Sequence, residues 1–99
     1  AMRKLIRVSV KNGTDTAGRA RDTAELLERI GYTAYSAGNA PTAPVTMVLY
    51  RKADYRDAAE EIRKFIGATS VDKTDDPGNP WDPEVQIVIG ADLAKPAGA

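Results

Sequence analysis

Hydrophobic and polar residues alternate from Lys4 to Lys11, with Ile6, Val8 and Val10 on one side and Arg7, Ser9 and Lys11 on the other. A period of two over this length is that of a strand with one buried face. Asn12-Gly13-Thr14-Asp15 then reads as a turn, after which the period lengthens. Ala20, Ala24, Leu27 and Ile30 recur at helical spacing, whereas Arg19, Arg21, Asp22, Glu25, Glu28 and Arg29 fall mostly on the wet side. A helix is predicted from a Thr14 or Asp15 cap to about Ile30, with Gly31 as its stop. Its small Ala residues predict close approach to a sheet.

Tyr32 to Ala37 has strand character and ends at the Gly38-Asn39-Ala40-Pro41 loop, which continues to Pro44. Val45 to Tyr50 is predicted as the next strand, with Val45, Met47 and Leu49 buried and Thr46, Val48 and Tyr50 opposite. Asp54 starts a second helix. Its apolar stripe is Tyr55, Ala58, Ala59, Ile62, Phe65 and Ile66, and Gly67 ends it. Ala68 to Pro83 carries Asp76-Pro77-Gly78, Asn79-Pro80 and Asp82-Pro83, and is predicted as a loop around a short strand near Val71. Glu84 to Gly90 is the last strand, and Lys95 to Ala99 reads as a frayed tail.

The main order is therefore β-α-β-β-α-β. Two helices on one face of a mainly antiparallel four-stranded sheet, the ferredoxin-like α+β solution with the first and third strands central, satisfy that order with right-handed crossovers. Ninety-nine residues hold one core rather than two, and the domain is placed at residues 3–92, with 93–99 as a flexible tail.

Composition narrows the chemistry. An apolar fraction of 42% and a charged fraction of 28% are those of a globular chain, and no apolar run reaches the length of a membrane span. His and Cys are both absent, which removes the Ser-His-Asp and Cys-His nucleophiles, the imidazole proton shuttle, disulfides, and thiolate or imidazole zinc sites. Fourteen basic and fourteen acidic side chains cancel, so no net field draws the chain to nucleic acid. The charges are unevenly placed, with nine basic and four acidic residues up to Lys52 and five basic and ten acidic beyond it.

Three motifs can be weighed. Gly13-Thr14-Asp15-Thr16-Ala17-Gly18 between a strand and a helix suggests a phosphate loop, but Arg19 and Ala20 stand where Lys and Ser/Thr are required. A tight turn with a cap is the preferred reading, with anion binding at the helix N-terminus as the alternative. RNA-binding modules of similar topology stack bases on strand aromatics, yet the first strand shows only Arg7, Ser9 and Lys11 outward, and Tyr50 alone stands at the end of the third. Asp72, Asp75, Asp76, Asp82, Glu84 and Asp92 lack calcium-loop spacing and read as turn formers. No metal or cofactor is expected.

Taken together, Val8-x-Val10-x-Asn12-Gly13-Thr14, Gly18, Ala20, Gly31-Tyr32, Gly38-Asn39-Ala40, Tyr50, Gly67 and the closing Val88-Ile89-Gly90-x-Asp92 resemble the LytR C-terminal domain family. The resemblance runs from Arg7 to Asp92, and the Asn-Gly-Thr turn with the terminal Ile-Gly-x-Asp is its most specific part. Members commonly have Gly where this chain has Asp15. The resemblance implies an accessory, non-catalytic module on the extracytoplasmic side of the cell envelope. Such domains commonly follow the catalytic domain of LytR-CpsA-Psr proteins, which transfer glycopolymers onto peptidoglycan, or follow a single membrane helix. Any membrane contact would then run through a segment absent from this chain.

The resulting expectation is a binding module for cell-wall glycan or an envelope protein. Its candidate ligand-binding residues are Asn12, Gly13, Thr14, Asn39, Tyr50 and Trp81: turn N–H groups and amides to meet hydroxyls or carboxylates, and aromatic faces to stack on a sugar ring. Asn12-Gly13-Thr14 reads equally as a structural turn, and Trp81 as a lid over the core. The competing expectation is a homo-oligomer pairing through a sheet edge or face, favoured by an exposed patch of Leu5, Val48 and Val88.

Overall fold

The computed structural model describes residues 3–74, 78–79 and 81–93. Its strands are β1 (Arg7–Asn12), β2 (Thr33–Asn39), β3 (Met47–Tyr50), β4 (Val71–Lys73) and β5 (Val85–Ile89), and its helices are α1 (Arg19–Arg29) and α2 (Arg56–Ile66). Single 3-10 turns at Arg3–Leu5, Ala53–Tyr55 and Ala91–Leu93 complete the regular structure. The expected tail from Ala94 lies outside the described residues, while Leu93, assigned to that tail, packs against the core.

The sheet has five strands in the order β2-β1-β5-β3-β4. β1 pairs in parallel with β2 and β5, β3 pairs in parallel with β4, and β3 meets β5 antiparallel. The ferredoxin-like expectation is corrected on three counts: the sheet is mixed, β4 is a full member of it, and the last strand rather than the third lies at the centre beside β1. The physical reason is that each helix closes a parallel pair directly, β1-α1-β2 and β3-α2-β4, leaving no gap within either unit. β5, the apolar run Val-Gln-Ile-Val-Ile, fills the space between the units.

Reversing the strand direction while moving the outer strand to the other side is a two-fold operation about the sheet normal, so two right-handed crossovers put both helices on one face. The core agrees. Val8, Val10, Val48, Val85, Ile87 and Ile89 of the sheet cluster with Ala20, Ala24 and Leu27 of α1 and Ala59, Ile62 and Ile66 of α2.

Three burial expectations are also corrected. Within β3 the buried set is Val48 with the preceding Thr46, whereas Val45 and Met47 are exposed. Both alternating sets contain apolar residues there, so the period alone leaves the face open; the register decides, setting Val48 opposite Ile87 and Val71. The patch of Leu5, Val48 and Val88 accordingly does not form, and Tyr35, Met47 and Val88 occupy the helix-free face instead. Arg19, expected in water, is buried and ion-paired to Asp22 at 3.0 Å.

α1 begins at Arg19 and not at Thr14 or Asp15, because residues 12–16 are held in a side-chain-braced loop. Gly18 precedes the helix with φ 84°, a left-handed value natural to glycine, and no side chain caps the helix. α2 ends as expected at Gly67, whose N–H donates to the Arg63 carbonyl at 2.9 Å.

Candidate functional site

The carboxyl end of β1 is built around Asn12. Its Oδ1 accepts from the Thr14 backbone N–H at 3.0 Å and from the Thr14 hydroxyl at 2.6 Å, and its Nδ2 donates to the Thr16 carbonyl at 2.8 Å. An Asn at this position closes the turn with its own side chain. Gly13 donates its N–H to the Ile89 carbonyl at 2.8 Å and accepts from Ala43 N–H at 3.0 Å, while Asn12 O accepts from Ala40 N–H at 2.9 Å. The loop between β2 and β3 is thereby stitched across the ends of β1 and β5.

A second set of bonds closes the same end. Thr46, fully buried, donates its hydroxyl to Asp92 Oδ1 at 2.7 Å and its backbone N–H to the same oxygen at 2.9 Å. Its Oγ1 in turn accepts the Gly90 N–H at 2.9 Å. A Cβ on Gly90 would lie 2.4 Å from the Val45 carbonyl carbon, so only glycine fits that approach. The Asn-Gly-Thr and Ile-Gly-x-Asp motifs, far apart in sequence, thus form one latch over the loop of residues 40–46.

Beside the latch, between the end of β2 and the start of α1, lies a groove of ≈ 340 Å³ lined by Asn12, Ala17, Gly18, Ala20, Arg21, Ser36, Gly38 and Asn39. It lies at the carboxyl ends of parallel strands, where open α/β sheets commonly bind ligands. A further cavity of ≈ 230 Å³ is lined by Gly13, Thr14, Asp15, Thr16, Thr42, Ala43 and Ala91 on the other side of the turn.

The six candidate residues therefore divide. Asn12 and Asn39, register partners in the β1–β2 pair, share the groove, and Gly13 and Thr14 stand next to it. Tyr50 and Trp81 do not join them. Tyr50 pairs with Val85, the partner of Val8, near the start of β1, and Arg7 at that same start donates to the Trp81 carbonyl at 2.9 Å. Arg7 and Asn12 are about 16 Å apart along the strand at ~3.3 Å per residue. Tyr50 packs against the core, so the aromatic of the open face is Tyr35; Trp81 is 72% exposed and is no lid. No pattern in the sequence marks Arg21 and Ser36 as groove residues, and only the pairing of Val10 with Ser36, a tertiary fact, brings them in.

The strongest electrostatic contacts are at the Trp81 end. Glu61 accepts from Arg3 Nε at 2.9 Å and Nη2 at 2.6 Å and from the Tyr32 hydroxyl. The Arg3 bonds first, then the Tyr32 bond, hold Glu61 below the ordinary carboxylate value, while burial first, then the bond to Glu61, pushes Tyr32 up to about 12. Burial works to raise Glu84, but hydrogen bonds from the Arg7 side chain (2.5 Å) and backbone (2.8 Å), with its charge, outweigh it and leave Glu84 lowered. Both carboxylates thus move away from the neutral range where a general acid or base works best. Among the described residues no group of three or more His, Cys, Asp or Glu could hold a metal ion, and Asp75 and Asp76 of the acidic run lie outside them. No helix among them is long and apolar enough to cross a membrane.

The result is a two-layer α+β domain, with its Asn-Gly-Thr and Ile-Gly-x-Asp motifs closing one end of the sheet. The chain belongs to the LytR_C family, described as LytR cell envelope-related transcriptional attenuator, whose model matches residues 5–93. The fold is similar to the solution structure of the C-terminal domain of RV0431, at 26% identity and a TM-score of 0.62 over 87% of this chain and 72% of that one. It is also similar to the crystal structure of the soluble domain of a conserved hypothetical secreted protein, an Rv2700 orthologue from Mycobacterium marinum. That match has 21% identity and a TM-score of 0.70 over 100% of this chain and 68% of that one. No curated protein matches the chain.

Proposed function

We propose that this domain is a non-catalytic recognition module on the extracytoplasmic face of the envelope, and that its groove at the ends of β1 and β2 takes the hydroxyl- and carboxylate-bearing units of wall glycan. One observation carries the reading: Asn39, Ser36, Arg21 and the residues at the start of α1 line the groove, and no Asp or Glu is among its lining residues. Amides and hydroxyls satisfy sugar hydroxyls, and a guanidinium beside a helix N-terminus favours an anionic group. The family's description as cell envelope-related and the secreted relative support the address.

Co-sedimentation with intact peptidoglycan sacculi, with and without attached glycopolymer, at low and high salt tests it. Saturable retention that survives high salt is expected, weakened by Asn39→Ala and by Ala17→Glu, which sets a negative charge in the groove. Absence of retention, or retention indifferent to both substitutions, overturns the reading and moves the partner to an envelope protein.

A further inference from the structure

We infer that the outer edge of β2 is a pairing edge for a second copy of this chain, joined antiparallel about a two-fold axis at Tyr35. β2 is the terminal strand of the sheet on the β1 side. The Thr33 N–H donates to the Ile6 carbonyl on the β1 side at 3.3 Å, so over the regular stretch to Ser36 Thr33 and Tyr35 turn their backbone groups inward, and Ala34 and Ser36 turn theirs outward. With Tyr35 on the axis, Ala34 of one copy faces Ser36 of the other, and each such pair exchanges both its N–H···O=C bonds.

The two edges of the sheet differ in the devices that discourage such pairing. β4 at the far edge is three residues long and carries Asp72 and Lys73, whereas β2, without a charge or a proline, is regular from Thr33 to Ser36, and its register shift with the left-handed Gly38 falls beyond the Ala34–Ser36 stretch that pairs. A long uncharged edge is the template that natural sheets otherwise blunt. Tyr35, 43% exposed on the helix-free face, would meet its own copy at the axis.

Charge complementarity on the helix side selects a second copy as the occupant. α1 lies over β1 and β2, so the two copies of α1 would run side by side about two strand spacings apart. That is roughly 10 Å, within the range at which helices pack. Arg21 lines the groove beside Ser36 and Asn39, and Glu28, seven residues on, falls on the same flank of α1 by helical periodicity. The two-fold runs the helices antiparallel, so Arg21 of each copy meets Glu28 of the other; a parallel approach would oppose like charges.

The inference does not rest on glycan binding, with which pairing of Arg21 to Glu28 of the second copy competes, and its test uses the chain without ligand. Sedimentation equilibrium is expected to show a monomer–dimer equilibrium, with the Ala34 and Ser36 amides protected from hydrogen exchange in the dimer. Arg21→Glu and Glu28→Arg singly are expected to weaken dimerisation by about tenfold or more each, and the double variant to restore it, since both positions are exposed and each swap keeps the monomer folded. A chain that stays monomeric at all concentrations overturns the inference. So does a dimer that ignores the charge reversals, or one in which Ala34 and Ser36 exchange freely.

Discussion

Gly13 donates its backbone N–H to the carbonyl of Ile89, and that oxygen stands 2.8 Å from where a Cβ on residue 13 would lie. The glycine is required by approach: Pro41 O, at 3.1 Å, closes the other side, and neither neighbour is a side chain that could swing away. Its place in the Asn-Gly-Thr motif is thus explained by the latch between β1, β5 and the loop of residues 40–46. Gly13→Ala is expected to cost about 2 kcal/mol or more, read as a lower urea midpoint, because backbone must shift to admit the methyl group. Gly90→Ala, with a closer approach still, should behave alike.

Asn12→Ala separates the structural role from the ligand role. Both ends of the Asn12 amide are used within the turn, so the substitution leaves the Thr14 N–H and the Thr16 carbonyl without their partner. A loss of about 1–3 kcal/mol is expected. Unchanged melting together with weaker glycan retention would mean that the amide serves a ligand instead.

Thr46→Val tests the other half of the latch at nearly constant volume. The buried hydroxyl bridges Gly90 and Asp92, and its removal strands the Gly90 N–H and leaves Asp92 Oδ1 with the Thr46 backbone N–H alone of its two Thr46 donors. A loss of about 1–3 kcal/mol in thermal or urea unfolding is expected, with Asp92→Ala losing a similar amount.

Trp81 is the single tryptophan of the chain and stands mostly in solvent. Trp81→Ala should change stability by no more than about 0.5 kcal/mol. The native protein should emit at solvent-exposed wavelengths, and its emission maximum should move little on unfolding. A large red shift on unfolding would place the indole in the core, as a lid.

Stability should be flat across neutral pH, since the chain has no histidine. Glu61 and Glu84 are lowered in the folded state, so the stability they contribute is present above the unfolded value of about 4.3 and is lost as pH falls through their folded values. Tyr32 is raised to about 12, so its contribution is present below the unfolded value of about 10 and is lost as pH rises through about 12. Denaturation midpoints against pH should show both flanks, and Glu84→Gln should flatten part of the acid one.

Local pattern was legible where one set of residues was plainly apolar. The alternation of Ile6, Val8 and Val10 marks the buried face of β1, and Gly31 and Gly67 stop their helices where expected. It points to the wrong face of β3, where Met47 and Val48 are equally apolar and only pairing with β5 decides which goes inside. Strand order was out of reach for a similar reason: β5 is the last strand in sequence, and its place beside β1 is a contact across most of the chain. Thr14 and Asp15 looked like helix caps, but Asn12 competes for that backbone and delays α1 to Arg19. Asn12, Gly13, Thr14 and Asn39 form one neighbourhood because Asn12 and Asn39 end strands that pair, whereas only shared side-chain chemistry, and no contact, links Tyr50 and Trp81 to them.

We propose recognition at the groove between β2 and α1 and not at the aromatic end of the sheet. Titrating the isotopically labelled domain with soluble peptidoglycan fragments, followed by amide chemical shifts, tests it most directly. Saturable shifts at Ala17, Gly18, Arg21, Gly38 and Asn39 are predicted, with the amides around Trp81 unmoved. Shifts centred on Trp81, or none at any fragment concentration, would contradict it.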